Sequence, residues 1–400
     1  MKVIIFYNGT FPYGSWPQRV RLTSKGLNKL GVPNDIVISF WPPLHEEKRD
    51  SPENVHFMFK SKSKRYYEKS KILYLFYYLL GIIKGYLFLK RQQDIKAVIF
   101  AQGSYLECYL ILKLCKKRKI KFIIDLVDEN AKKYEGAKSL KDRIAIWNRD
   151  LYEKYIVKNA DYLFVISSYL YNKYKNLFPS LKIINSTPSL IDLDDFEKRK
   201  SLDISFLFPG NYDYLKSRKN KFLYAGSCAR PNGIFFFLEN LVELKSRHYF
   251  DFFIIFLISE GNTNILIKKV NELKITSNVY IGKSVPQKYI PAIYNQLADY
   301  FFIPEHGDLC ANAGFPSKTA ELLGAGKPII STNFSDLSKY LINEFNSLVS
   351  EVGDKENYQL NLKKLLFDKE LCQKISKNAK LTAKENFDYL KGAQKYVDII

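Results

Sequence analysis

A chain of 400 residues is long for a single core and suits two domains of roughly 150 to 200 residues each. With 46% hydrophobic and 26% charged residues it has material for two cores and no disordered composition, and the 15% aromatic share, 29 Phe and 29 Tyr, makes those cores aromatic. A net charge of +21 calls for an anionic counterpart; phosphorylated substrates and anionic membranes rank ahead of nucleic acid, because no zinc-knuckle cysteine pair, arginine-rich arm or glycine-flanked aromatic RNA-binding motif accompanies the charge.

The chain opens with an apolar, β-prone run, Val3 to Tyr7, followed by a loop from Asn8 to Gln18 that holds Gly9, Gly14, Ser15 and Trp16. A helical pattern from Arg19 to Leu30 ends at Gly31, and Asp35 to Phe40 reads as the next strand. This β-α-β unit predicts a parallel sheet with ligand-facing loops at the carboxyl ends of its strands. Basic residues then crowd from Lys60 to Lys71 and run into Ile72 to Leu89, an apolar stretch interrupted only by Lys84 and two glycines. A buried helix, a helix lying at a membrane surface and a spanning helix all fit that stretch. Ala97 to Phe100 and Phe122 to Leu126 are further strands, separated by a helical segment through Leu110 to Cys115 and the basic cluster Lys116 to Lys119. Asp128 follows the second of them directly, in a carboxyl-end loop where sites in open α/β sheets collect; the same position also suits a helix cap. Asn159 to Ser168 reads as a helix end, a strand and a serine-capped helix start.

From Ser186 to Lys200 the chain turns rich in Pro, Ser and acidic residues without a sustained period, the composition of an interdomain linker. Asp192-Leu193-Asp194 within it spells a D-x-D pattern, read here as part of the linker and not as a metal site. A second β-α series follows: Phe222 to Ser227, Phe252 to Ile258, Val279 to Gly282, Tyr300 to Ile303 and Ile329-Ile330. Before the last of these stands Phe315-Pro316-Ser317-Lys318-Thr319-Ala320-Glu321, which predicts a helix opened by Pro316 and closed by Gly324 to Pro328. Ser317 and Lys318 then fall in the first turn, where free N–H groups attract an anion, and Glu321 shares their face. A carboxylate there can accept from both hydroxyls of a ribose; the plainer reading is a solvated Lys–Glu pair three residues apart. His306, in the loop after Pro304, is a further candidate, although a lone loop histidine is more often a surface residue. Five scattered cysteines, Cys108, Cys115, Cys228, Cys310 and Cys372, without Cys-x-x-Cys spacing, together with a strand-like start that has no cleavage site, give the expectation of a cytoplasmic protein.

The stretch from Pro316 through Glu321 to Gly326-Lys327-Pro328-Ile329-Ile330 resembles the nucleotide-sugar motif of the retaining glycosyltransferases of family 4, and the resemblance extends over nearly the whole chain. It implies the GT-B fold: α/β, two Rossmann-like domains facing across a cleft, with a final helix from Leu371 to about Ile399 crossing back to the first. The expected division is residues 1–190 for the acceptor, 191–218 as linker, 219–375 for the nucleotide sugar and 376–400 for the returning helix. It implies the ribose for Glu321, the donor phosphates for Ser317 and Lys318, and a place near those phosphates for Gly14 and Ser15. Asp128 falls in the catalytic region. In the loop where the family grips the diphosphate with Arg and Lys, Arg230 is the nearby cation and Asn232 stands where Lys is usual; Ala313 replaces the first glutamate of many members. The implied reaction moves a sugar, with retention by front-face attack, from a nucleotide diphosphate sugar to a glycan or lipid-linked acceptor. The setting would be surface polysaccharide (lipopolysaccharide or capsule) biosynthesis, without metal or cofactor, the expected location being the cytoplasm, with peripheral attachment to the inner membrane face open to it. A non-hydrolysing sugar-nucleotide epimerase shares the architecture but wants an acid–base pair that is not evident; an inactive binding protein of this fold is favoured by Ala313 and Asn232.

Overall fold

The computed structural model describes residues 2–9, 11–12, 14–40, 48–49, 51–60, 70–128, 139–229, 231–304 and 312–400. They form two compact units: Met1–Leu190 together with Tyr389–Ile400, and Ile191–Asp388.

The first unit runs β1 (Lys2–Tyr7), α1 (Ser15–Lys29), β2 (Asn34–Ile38), β3 (Val55–Phe57), α2 (Lys71–Arg91), β4 (Ile95–Gln102) and α3 (Tyr105–Arg118). It continues with β5 (Lys121–Leu126), α4 (Leu140–Leu151), β6 (Tyr162–Val165), α5 (Ser168–Leu177) and β7 (Ile183–Asn185). All strand pairs are parallel, in the order β3-β2-β1-β4-β5-β6-β7. Helices cover both faces, which is why Val3 to Phe6 and Ala97 to Phe100 are buried without alternation. Serine starts the helices as its chemistry dictates: Ser70, Ser104, Ser139 and Ser167 accept from the N–H of Leu73, Glu107, Asp142 and Leu170, opening α2, α3, α4 and α5. The order reverses between β1 and β4, so the crevice at their carboxyl ends is the place where a ligand binds in such a sheet.

The second unit repeats the plan. Its elements are α6 (Leu193–Arg199), α7 (Tyr212–Ser217), β8 (Lys221–Cys228), α8 (Asn232–Arg247), β9 (Phe253–Gly261), α9 (Thr263–Glu272), β10 (Val279–Lys283) and α10 (Ile290–Leu297). Then come β11 (Tyr300–Ile303), α11 (Thr319–Ala325), β12 (Ile329–Asn333), β13 (Leu348–Glu351), α12 (Lys355–Phe367) and α13 (Lys369–Asn386). The parallel order is β10-β9-β8-β11-β12-β13, with the reversal between β8 and β11. Strand residues alternate between two cores: Leu223, Ile255 and Phe301 enter one, and Phe222, Ile254 and Phe302 the other. The second core is bound by aromatic stacking, Phe237 on Phe302 at 3.8 Å.

Residues 191–218 belong to this unit and are not a free connector. Ile191, Phe196, Ile204, Phe208 and Leu215 are all buried in its first core. Asp192 caps α6 by accepting from Asp195 N–H at 3.1 Å, which gives the D-x-D pattern a structural use. The final helix is also divided. Phe387 is fully buried beside Tyr340, and Asp388 makes a bridge with Ile191, so the backbone leaves the helix there. The last segment, α14 (Tyr389–Val397), rejoins the first unit, where Tyr396 stacks on Phe164 at 4.1 Å and Ala393 lies against Gly26 of α1.

Candidate active site

In the second unit the motif from Phe315 to Ile330 builds one corner of the sheet's carboxyl edge. The helix does not start at Pro316. The Pro316 carbonyl accepts from both the N–H and the Oγ1 of Thr319, at 3.0 and 2.8 Å, making a turn that holds Ser317 and Lys318 just outside the helix. Lys318 is the N-cap residue and Gly326, with φ +67°, ends the helix. Ser317 is exposed and Lys318 half-buried, while every residue of α11 is buried.

Glu321 is 5% exposed, far less than a solvated surface glutamate. Its Oε1 accepts from Gln287 Nε2 at 2.5 Å, and its Oε2 lies 3.7 Å from Lys318 Nζ. Gln287 comes from the loop after β10, so two loops and one helix converge on this carboxylate. Behind it stands Tyr294 of α10, whose hydroxyl burial pushes well above its ordinary pKa, helped by the Glu321 charge. A carboxylate fixed by an amide and faced by an ammonium can accept hydroxyl hydrogen bonds while a neighbouring cation takes an anion.

Of the other positions read from the sequence, Asn232 is the exposed first residue of α8, and Ala313 is fully buried near the loop that Ser335 ties down through Asn312 and Gly314. Arg230 and His306 lie outside the described residues.

In the first unit, Gly14 precedes α1 with φ +109°, a conformation that side chains rarely adopt, and Ser15 opens the helix exposed. Asp128 is exposed, two residues beyond β5. The sequence reading passed over a different carboxylate in that strand. Asp125 is 4% exposed and takes a two-pronged grip from Arg19 of α1, Nε to Oδ2 at 2.9 Å and Nη2 to Oδ1 at 3.0 Å. Arg19 also donates to the Thr187 carbonyl and Ser186 Oγ, at 2.7 and 2.6 Å, and so fixes the helix that Gly14 and Ser15 begin.

A second buried group was also missed. Asn8, at the carboxyl end of β1, accepts through Oδ1 from Ser39 N–H, Ser39 Oγ–H and Phe40 N–H at 3.1, 2.9 and 3.0 Å. Glu107, in the first turn of α3, contacts Ser39 Oγ with one oxygen and Asn8 Nδ2 with the other. Burial pushes its carboxyl up to about 7. Because Asn8 follows β1 and Glu107 follows β4, this network sits at the strand-order reversal of the first sheet.

Residues 213–382 match the glycosyl transferases group 1. Among solved structures, sucrose-phosphate synthase from Thermosynechococcus elongatus is similar over 100% of this chain and 98% of its own, at 13% identity and a TM-score of 0.73. A glycosyltransferase from Rickettsia africae covers 100% and 97%, at 16% identity and 0.70. HepE from Anabaena, in complex with UDP, covers 100% and 99%, at 11% identity and 0.68. No curated protein sequence matches the chain. At these identities the likeness establishes the fold: two Rossmann-like α/β domains of the GT-B glycosyltransferases. The group 1 match within that fold supports a glycosyltransferase.

Proposed function

We propose that the chain is a retaining glycosyltransferase that moves a sugar from a nucleoside diphosphate sugar to a glycan or lipid-linked acceptor during assembly of a surface polysaccharide. The observation that carries the donor assignment is Glu321, buried inside the matched segment, gripped by Gln287 and faced by Lys318. A simple solvated pair would leave its carboxylate in water. The neighbours support the same class of donor, since HepE has been solved with UDP, with UDP and glucose, and with UDP-glucose.

In this reading Glu321 accepts from the ribose hydroxyls while Lys318, Ser317 and Arg230 stabilise the diphosphate as negative charge develops on it. The family resemblance gives Gly14 and Ser15 a role toward the donor phosphates, and Asp128 one toward the donor sugar or the incoming hydroxyl. The acceptor hydroxyl attacks from the face the diphosphate leaves, a donor oxygen taking its proton, so the anomeric configuration is retained. His306 is a secondary candidate in the same chemistry. The reaction needs neither metal nor cofactor, and the enzyme works in the cytoplasm at the inner face of the membrane.

The test is a panel of nucleoside diphosphate sugars, screened for thermal stabilisation and then for nucleotide release coupled to sugar transfer. Stabilisation by one donor, with release that depends on acceptor, is the expected result. A panel that leaves the melting temperature unmoved would remove the donor assignment.

A further inference from the structure

Helix α2 has two faces of opposite fate. Gly81, Ile82, Gly85 and Leu89 form its buried side. A Cβ on Gly81 would lie 2.4 Å from the Ser39 carbonyl oxygen, and one on Gly85 2.9 Å from Ser39 Cβ, so two glycines one turn apart let the backbone lie flat on the chain beyond β2. Lys84 secures the contact by donating to the Met58 carbonyl at 3.1 Å. The opposite side is apolar and open to water. Ile72, Leu75, Phe76, Leu79, Ile83 and Leu87 succeed one another at helical spacing and are between 37% and 84% exposed.

The helix is long and apolar enough to cross a bilayer, yet it joins β3 to β4 of one parallel sheet and its glycine side is seated on that unit. An apolar stripe in water therefore belongs to a helix lying in a surface plane. Helix α4 repeats the pattern independently. None of its described residues is buried, and Leu140, Ile144 and Trp147, at i, i+4 and i+7, are 74%, 56% and 63% exposed. The crossovers β3-α2-β4, β4-α3-β5 and β5-α4-β6 advance in one direction across the sheet, which puts all three helices on one face, and α3 packs against both neighbours. Leu106, at the start of α3, is 40% exposed between the two stripes.

We infer that this face of the first unit is a docking surface for an anionic lipid bilayer, with α2 and α4 lying in the interface and Trp147 at headgroup depth. It deepens the membrane location proposed above, on which it rests, by naming the surface that makes it. Charge decides the occupant. Residues 60–91 carry nine Lys and Arg against the single acid Glu68, in a chain of net charge +21, so a second copy would be repelled where anionic headgroups are attracted.

The test uses the full chain with Trp16→Phe and Trp41→Phe, which leaves Trp147 as the sole tryptophan, and needs neither donor nor acceptor. Vesicles of phosphatidylcholine, alone or with about a third phosphatidylglycerol, are compared with and without brominated acyl chains. The expected result is co-sedimentation with the anionic vesicles at low salt, a blue shift of Trp147 emission and its quenching by bromine. Leu75→Ser with Phe76→Ser, both on the open side of α2, should weaken sedimentation at least about tenfold while leaving the melting temperature and the solution transfer assay unchanged. Sedimentation with Trp147 unquenched, or unweakened by the double variant, would place the membrane contact elsewhere and overturn the surface while sparing the location. Absence of sedimentation would overturn both and leave the transfer reaction standing. A lipid-free dimer dissolved by the double variant would assign the stripes to a second copy.

Discussion

Glu107 sits where an ionised carboxylate is poorly served. Ser39 has one hydroxyl proton but lies against two acceptors, Asn8 Oδ1 and Glu107. A protonated Glu107 resolves the count by donating to Ser39 Oγ, which then donates to Asn8. This agrees with the burial that raises its carboxyl from 4.5 to about 7. Because the folded value is the higher one, the stabilisation from the protonated form is complete below about 4.5 and is lost as pH rises through about 7. Stability to denaturant should therefore fall across that interval by an amount on the order of 1 kcal/mol per pH unit, and Glu107→Gln should flatten the fall. An undiminished slope in the variant would assign the titration to another group. Glu321 calls for a binding measurement instead. If it holds the ribose, Glu321→Ala weakens donor binding at least about tenfold, roughly 1.4 kcal/mol, in calorimetry with the fold retained; unchanged affinity would end that role.

At the scale of elements, α1 and α14 meet through small residues, and the sign of one substitution tests how closely. Gly26 is inside α1, where Gly→Ala ordinarily stabilises by about 0.5 to 1 kcal/mol. Here the added methyl would lie 2.5 Å from Ala393 Cβ and 3.0 Å from the Tyr389 carbonyl oxygen. Overpacking of that kind costs about 1 to 3 kcal/mol, so Gly26→Ala should lower the melting temperature and Ala393→Gly should restore part of the loss in the double variant. A stabilised Gly26→Ala would mean that the helices stand further apart. The strands flanking these helices were legible in the sequence because a sheet buried on both faces writes itself as continuous Val, Ile and Phe, as in Val3 to Phe6 and Phe301 to Ile303. The ends of elements were less so. Pro316 suggested a helix start, but its carbonyl is taken by Thr319, and the break at Phe387 follows from burial beside Tyr340, a tertiary contact invisible to periodicity. The partners of the site were hidden for the same reason: Gln287 is 34 residues from Glu321, and Ser39 is 68 from Glu107. No local pattern marks such pairs, whereas Ser317, Lys318 and Glu321 lie within five residues and could be read together.

At the scale of the whole molecule, the two units are unequal in how the chain builds them. The second is one continuous piece, Ile191–Asp388, with a core on each face of its sheet. The first is assembled from two pieces far apart in sequence, since α14 supplies Ala393 and Tyr396 to the core that holds Val3, Ile5 and Phe164. Continuous cores can close without waiting for a distant segment, while the first unit lacks part of its core until residue 400 is present. Residues 191–388, expressed alone, should therefore melt cooperatively, and because Gln287, Lys318 and Glu321 are all within them, nucleoside diphosphate should stabilise that fragment, by about 2.7 kcal/mol at a hundredfold excess over its dissociation constant. If the proposed roles of Gly14 and Asp128 hold, sugar transfer by the fragment should be absent, since neither residue is in it. Residues 1–190 without α14 should lose cooperative melting, with Phe164 uncovered by the loss of Tyr396. A fragment 191–388 that folds but gains nothing from any nucleoside diphosphate would separate the Glu321 corner from donor binding, and one that fails to fold would show that its two cores depend on the first unit.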